Sequence, residues 1–417
     1  MTGRVRGWLV QFWEDLRQST DPSLLGIARL LGLLYGPIDG RSRIDVSLRK
    51  ALGYRLPAHV TWRHALGSIA YLLLMVQVAT GVLLVFYFRP SAQEAYASIQ
   101  YIQSQAPFGW LIRGLHVWCA SLLIVVLLAH LARVFFGGAY KPPRETNWLI
   151  GVGLFGVVLA FGASGYLLPW DQWAYWTFSE GLELVSAIPV VGGLVTELLR
   201  GDSLVSGSTL SRQFALHVVL LPWLLFVLLG LHFTLIRRHG ITPPPGRETS
   251  EPGVRFYPVH LMRSLMVAAV TLAVLITLAT WFTRPVGPPA DPGEMPRDLI
   301  STWLIVDIGR TLGHFLGGWG VALFVLLGVA LALLPLFDRG PERRLRERPL
   351  VLAAGIAFFA VTLVTWGVGR TLQSRGPVPH AAPAEAPARP VPFGADEGGI
   401  APLHPDSTDS ITAGRPR

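Results

Sequence analysis

Four histidines in two apolar stretches carry the clearest chemistry in this sequence. His116 and His130 lie 14 positions apart in LHVWCASLLIVVLLAHLARVFF, and His217 and His232 lie 15 apart in a second stretch. Ionisable side chains inside long apolar segments are costly and mark function by default. At about 100° per residue, 14 steps return to within roughly 40° of the starting face and 15 to within roughly 60°. Each pair therefore shares one side of its helix, about 21–23 Å apart along the axis. Two planar cofactors of heme size fit end to end over that distance. If the two helices run the same way, His116 pairs with His217 at one level and His130 with His232 at the other. Bis-imidazole ligation fills both axial positions of a heme iron, which suits electron transfer and leaves no site for oxygen. A single such histidine would read better as a polar bridge between helices. Four of them, matched in pairs, do not. A metal site would cluster its ligands, and a proton relay would not need this spacing.

Two further intervals repeat the figure. Gly67 and Gly81 are 14 apart, as are Gly151 and Gly165. Glycine permits close approach of a flat ligand to backbone. Arg113, Arg133 and Arg237 each lie within five positions of a histidine, where propionates could be met by a guanidinium fork. Arg133 and Arg237 also fit interfacial snorkelling.

The elements that must position these residues are membrane spans. The chain has 417 residues, 51% hydrophobic and 15% charged, against about 25% charged in soluble domains. The apolar residues fall in blocks of about 20, the length that crosses a bilayer core. Seven spans are expected, near 67–88, 112–136, 148–168, 214–236, 263–282, 319–337 and 350–369. The fold class is thus an all-α polytopic membrane protein, a four-helix diheme bundle plus three further transmembrane helices. The divisions are 1–60, an N-terminal segment on the inner surface; 61–240, the diheme bundle; 241–370, the three-helix part; and 371–417, a Pro- and Ala-rich tail expected to be disordered. Within 7–35, Trp8, Leu9, Phe12, Trp13 and Leu16 recur at helical spacing. They fit an amphipathic surface helix or one packed on the protein's own loops. No cleaved signal peptide is expected.

The segments after the second, fourth and sixth spans are basic, and alternation puts all three on one face. That face is cytoplasmic, with the N-terminus, in what is expected to be a prokaryotic plasma membrane. The net charge of +9 then belongs to membrane-facing loops, and no nucleic-acid partner is expected. A single cysteine, Cys119, excludes a disulfide framework or thiolate metal site within the chain.

Five strings, RPSAQEAYASIQYI, IRGLHVW, GGAYKPPRETNWLIGV, GYLLPWDQWAYW and TLSRQFALHVVLLP, resemble cytochrome b of the quinol–cytochrome c and plastoquinol–plastocyanin oxidoreductases. The resemblance runs from about Ile38 to Gly369. It implies two b-type hemes, a low-potential outer one on His116 and His217 and a high-potential inner one on His130 and His232. It implies quinol oxidation at the outer face, quinone reduction at the inner face, a Rieske iron–sulfur protein and a c-type cytochrome as partners, and a homodimeric core. The 15-residue interval resembles the chloroplast type, and seven spans resemble that type fused to its three-span companion. Trp170 and Asp171 would line the outer quinol pocket.

Two positions depart from the family. Its outer-site Pro-Glu-Trp-Tyr aligns with Ser301-Thr302-Trp303-Leu304, and threonine is no proton acceptor near neutral pH. Asp298 or Asp307 would have to substitute. The acidic residue expected at the start of the fifth span aligns with Ser264, so inner proton uptake would use His239 or His260. The alternative is an electron conduit with a lost or altered outer site; a non-redox scaffold or transporter is the rival outside redox chemistry.

Overall fold

The computed structural model describes residues 55–57, 59–60, 64–245, 253–296 and 304–373. The surface helix expected over 7–35, Asp298, Thr302 and Trp303 lie outside the described residues. So does the tail from 374 onward; Thr371–Gln373 instead continue the last helix.

The described residues are helical nearly throughout. Helix α1 is Leu66–Val85, α2 Ala95–Ser104, α3 Gly109–Phe136, α4 Glu145–Leu167, α5 Gln172–Ser186, α6 Gly192–Arg200 and α7 Gly207–His239. Then follow α8 Leu261–Trp281, α9 Leu304–Leu316, α10 Gly318–Ala332, α11 Leu334–Phe337 and α12 Pro349–Gln373. Two-residue strands β1 (Arg55–Leu56) and β2 (Val254–Arg255) pair antiparallel. Among the described residues six helices are long and apolar enough to cross a membrane: α1, α3, α4, α7, α8 and α12. The sixth expected span differs: α10 has 15 residues, and the break at Leu333 separates it from α11. Pro335 in the first turn of α11 has no N–H to donate, so the helix cannot run on unbroken. Many apolar side chains point outward, including Val125, Trp223 and Leu363. Helices satisfy their own backbone groups, so an apolar surface of this kind suits lipid.

Helix α1 packs on α3, α4 on α7, and α8 on both α1 and α3; α9 packs on α5 and α12. Helix α3 ends at Gly137-Gly138. There Gly138 takes a left-handed φ of 58° and the Ala139 N–H returns to the Val134 carbonyl, a geometry that favours glycine. This turn brings the basic loop after α3 against the other two. Arg144 donates to the His239 carbonyl at 2.7 Å, Arg343 donates to the Pro243 carbonyl at 2.6 Å, and Lys141 meets Asp338 at 2.8 Å. The three basic segments therefore share one end of the bundle, the basic end. At the far end, α5 holds α9 through Arg310 and Glu180. The stretch α10–α11 leads from the far-end helix α9 to Asp338 at the basic end.

A packed layer fills the middle. Leu73, Leu123 and Val158 are buried together, and beside them Leu154, Val157, Leu221 and Leu225. Leu73, Leu123, Val157, Val158 and Leu225 lie about midway between the two histidine or glycine positions of their own helices.

Candidate functional site

The four glycines and four histidines meet one to one. A Cβ on Gly81 would lie 3.3 Å from His116 Cε1, and one on Gly165 would lie 2.5 Å from His217 Cε1. A Cβ on Gly67 or Gly151 would lie 3.5 Å from Cε1 of His130 or His232 respectively. The structure thus groups the residues into two levels, Gly81, His116, His217 and Gly165 toward the far end, and Gly67, His130, His232 and Gly151 toward the basic end. The His116 and His217 ring centroids are 6.4 Å apart. Two imidazoles on opposite sides of one metal ion, each nitrogen about 2 Å from it, would stand about 6 Å apart by centroids.

The hydrogen bonds on the rings fit ligation through Nε2. His116 Nδ1 is 2.9 Å from Thr80 Oγ1, and the Thr80 hydroxyl donates to the Val76 carbonyl at 2.7 Å. Nδ1 therefore carries the proton and Nε2 the free lone pair. His217 Nδ1 lies 3.1 Å from both the Phe161 carbonyl and Ser164 Oγ, with the same consequence. The Asn147 carbonyl lies near His232 Nδ1, and among the described residues no hydrogen bond of normal geometry reaches Nδ1 of His130 or His232.

Helix α7 solves a phase problem that its 15-residue interval poses. It contains a π-helical stretch, Leu216–Leu220, in which the Leu221 N–H reaches the Leu216 carbonyl. Pro222 follows immediately. It has no N–H for the Val218 carbonyl, so the α pattern is interrupted there. A π turn takes up one residue more than an α turn. The interval from His217 to His232 then behaves as 14 α-helical steps, the interval of the other three helices.

Such an arrangement can hold two flat, doubly ligated groups one above the other, separated by the packed middle layer. A family model described as cytochrome b/b6/petB matches residues 51–240. Cytochrome b6 of Mastigocladus laminosus is 44% identical over 189 residues, 45% of this chain and 88% of the relative. Cytochrome b6 of Synechococcus sp. (strain JA-3-3Ab) is 41% identical over 211 residues, 51% of this chain and 98% of the relative.

The chain belongs to the cytochrome b/b6 family. A solved structure, "Hyperthermophilic respiratory Complex III", matches with a TM-score of 0.72 at 26% identity, over 81% of this chain and 92% of that one. The cytochrome b6 matches reach about half of the chain, whereas this fold match extends well beyond it. The protein is accordingly an integral membrane cytochrome b, whose family carries b-type heme.

The remaining expected residues of this cytochrome b fall out as follows. Asp171 caps α5, accepting from the Ala174 N–H at 2.8 Å with one oxygen and from the Gly287 N–H at 3.0 Å with the other. The neighbouring Gln172 N–H donates to the Pro288 carbonyl and the Ala290 N–H to the Trp170 carbonyl. Trp170 is buried at a left-handed φ of 52°. Both residues thus sew the turn after α4 to the segment after α8. Burial pushes the nearby Tyr175 phenol up to about 12. Arg113 is buried and donates through Nη1 to Gln103 at 2.9 Å and to the Arg284 carbonyl at 2.7 Å. Arg133 lies in the last turn of α3, and Arg237 is exposed near the end of α7. His239 ends α7 and His260 caps α8, both at the basic end. Burial and then Arg263 hold His260 below the usual imidazole range. Asp307 is buried and ion-paired to Arg310 at 3.0 Å.

Sequence reasoning missed Thr80 and Ser164. The signal was present: each immediately precedes one of the paired glycines, Thr80-Gly81 and Ser164-Gly165. It also missed the Glu180–Arg310–Asp307 cluster, which has no local pattern.

Proposed function

We propose that this chain is the diheme cytochrome b subunit of a quinol-oxidising complex, with His116 and His217 holding one b heme and His130 and His232 the other. The observation that carries this reading is that each histidine faces one glycine at its own level. When bound, heme would carry single electrons between its ferrous and ferric states. The protein's part is to supply four imidazoles, a glycine floor beside each, and a dry middle layer that excludes water between the levels. We take the basic end as cytoplasmic, with the N-terminus there and seven crossings, in a prokaryotic plasma membrane. Quinol is then oxidised at the far end and quinone reduced at the basic end, coupled to proton translocation. His260, neutral at physiological pH, and His239 are the groups there to take up protons. A Rieske iron–sulfur protein and a c-type cytochrome are the partners, around a homodimeric core. The Trp170–Asp171 turn and the segment sewn to it form the partner-facing side of the far-end quinol pocket.

A reduced-minus-oxidised spectrum of the purified protein tests this, with two b-heme components expected. His217→Ala should lose the far-end heme and retain the other; loss of neither shows the ligands to be misassigned.

One observation favours a second reading. Thr302 stands where the family carries its proton-accepting glutamate, and Asp307 is committed to Arg310. The chain would then be an electron conduit with an altered far-end site. Quinol:cytochrome c reductase activity blocked by a far-end-site inhibitor supports the first reading; absence of such turnover with both hemes present supports the second.

A further inference from the structure

We propose that Thr80 and Ser164 are positioning residues that lower the redox potential of the heme between His116 and His217 relative to the heme between His130 and His232. This rests on the ligand assignment proposed above. The two levels are alike in imidazoles, in glycines and in a backbone carbonyl near one Nδ1, Phe161 at His217 and Asn147 at His232; they differ in the side-chain hydroxyls that meet Nδ1. At the far-end level the Thr80 hydroxyl stands 2.9 Å from His116 Nδ1, and Ser164 Oγ stands 3.1 Å from His217 Nδ1. Both hydroxyls have their own protons engaged. Thr80 donates to the Val76 carbonyl at 2.7 Å and Ser164 to the Ala160 carbonyl at 2.8 Å. Each oxygen is therefore an acceptor toward the histidine. Both side chains are buried, Thr80 6% and Ser164 2% exposed, so water does not compete for these bonds. At the other level the residues before the glycines are Leu66 and Ile150, which bring no hydroxyl to Nδ1 of His130 or His232.

A hydrogen bond accepted from the distal N–H of a ligating imidazole fixes its tautomer and makes it a stronger donor through the other nitrogen. Stronger donation favours ferric over ferrous iron, which lowers the potential. Axial ligand strength and outer-shell hydrogen bonds are among the protein's recognised levers on heme potential. An electron is then held less firmly at the far-end level and passes downhill to the basic-end level. The direction of transfer across the bundle is in this way written into the residue that precedes each glycine.

Potentiometric titration of the hemes in the intact complex tests the inference, with Thr80→Val and Ser164→Ala compared against wild type and the conservative Thr80→Ser. The His217→Ala variant identifies which wave belongs to which level. Expected is an upward shift of the far-end wave in Thr80→Val and in Ser164→Ala, several-fold in the ferrous-to-ferric ratio at fixed ambient potential. A tenfold change corresponds to about 59 mV for one electron. The basic-end wave should stay in place, and Thr80→Ser should behave as wild type. If Thr80→Val sheds its heme, Ser164→Ala carries the same reading. An unmoved or lowered far-end wave, equal movement of both waves, or loss of heme in both variants overturns the inference. A wild-type protein with no pair of waves overturns the ligand assignment instead, so the two failures are told apart.

Discussion

The glycines show how much can rest on a missing methyl group. Gly165 stands closest to its histidine: an added Cβ would fall 2.5 Å from His217 Cε1 and 3.3 Å from Nε2. Real Cβ contacts are not that short, so the imidazole would have to move off its present axis. Gly81 is looser at 3.3 Å, and Gly67 and Gly151 reach ordinary contact at 3.5 Å. Alanine substitution should therefore act in a graded order. Gly165→Ala is expected to deplete far-end heme most strongly, Gly81→Ala less, and Gly67→Ala and Gly151→Ala least as far as the imidazoles are concerned. Heme stoichiometry from pyridine hemochrome spectra of the four variants checks this, and an order in which Gly165→Ala is the mildest is inconsistent with the geometry. Cys119 is at the opposite extreme of consequence. Its thiol donates to the Leu73 carbonyl at 3.0 Å in the packed middle layer, where it acts as a small buried residue.

At the scale of elements, the π turn in α7 and the clamp on α9 each decide a placement. The π turn absorbs the residue that makes the α7 interval 15 instead of 14. Removing Val219, inside Leu216–Leu220, together with Pro222→Leu should leave a continuous α-helix with both ligands on the right face. Removing Val227, beyond the π turn and with Pro222 kept, should turn His232 about 100° away from Gly151. Difference spectra are expected to show two b hemes in the first variant and loss of the basic-end heme in the second. Retention of both hemes in the second would falsify the register argument. The clamp is the Arg310 guanidinium, which donates with Nε and Nη2 to the two oxygens of Glu180 at 2.6 Å each and with Nη1 to Asp307 at 3.0 Å. Asp307 and Arg310 are almost wholly buried. Arg310→Met would leave the largely buried Glu180 carboxylate without its guanidinium, a loss on the order of 3–5 kcal/mol. Thermal unfolding in detergent should show a clear drop in Tm, while the α3 and α7 hemes remain in the folded protein at low temperature.

At the scale of the whole molecule, one carboxylate draws the basic loops together. Asp338 receives Lys141 at 2.8 Å and Arg348 at 3.1 Å, as well as the Tyr140 hydroxyl. Burial works to raise the Asp338 carboxyl, but the hydrogen bonds from Lys141, Tyr140 and Arg348 outweigh it and hold it below the usual range. A carboxyl depressed in the folded state adds stability above its unfolded value, about 3.9, and loses it as pH falls through the folded value. Tm should therefore fall on acidification below about pH 4 by more in the wild type than in Asp338→Asn, which lacks the titrating group. Equal acid sensitivity of the two proteins would count against a role for this carboxylate. The same hub accounts for the charge pattern read from the sequence. Basic segments that are far apart in the chain are neighbours in space, and they mark one end of the bundle.

The sequence by itself determined the periodic features. The 14-residue intervals, the apolar blocks and the basic loops follow from helix pitch, bilayer thickness and charge asymmetry, which are local or one-dimensional properties. They sufficed to name all four histidines, all four glycines and their two levels. Tertiary structure decided what depends on side chains remote in sequence. It gave Arg113 to the Arg284 carbonyl and Asp171 to the segment after α8. It joined Glu180 to Arg310 across 130 positions. It also decided how a 15-residue interval keeps phase, because a π turn depends on where proline breaks the hydrogen-bond ladder, which residue spacing alone does not encode. The physical reason is the same in each case: pitch fixes which residues share a face, and only packing fixes which donors and acceptors meet across it.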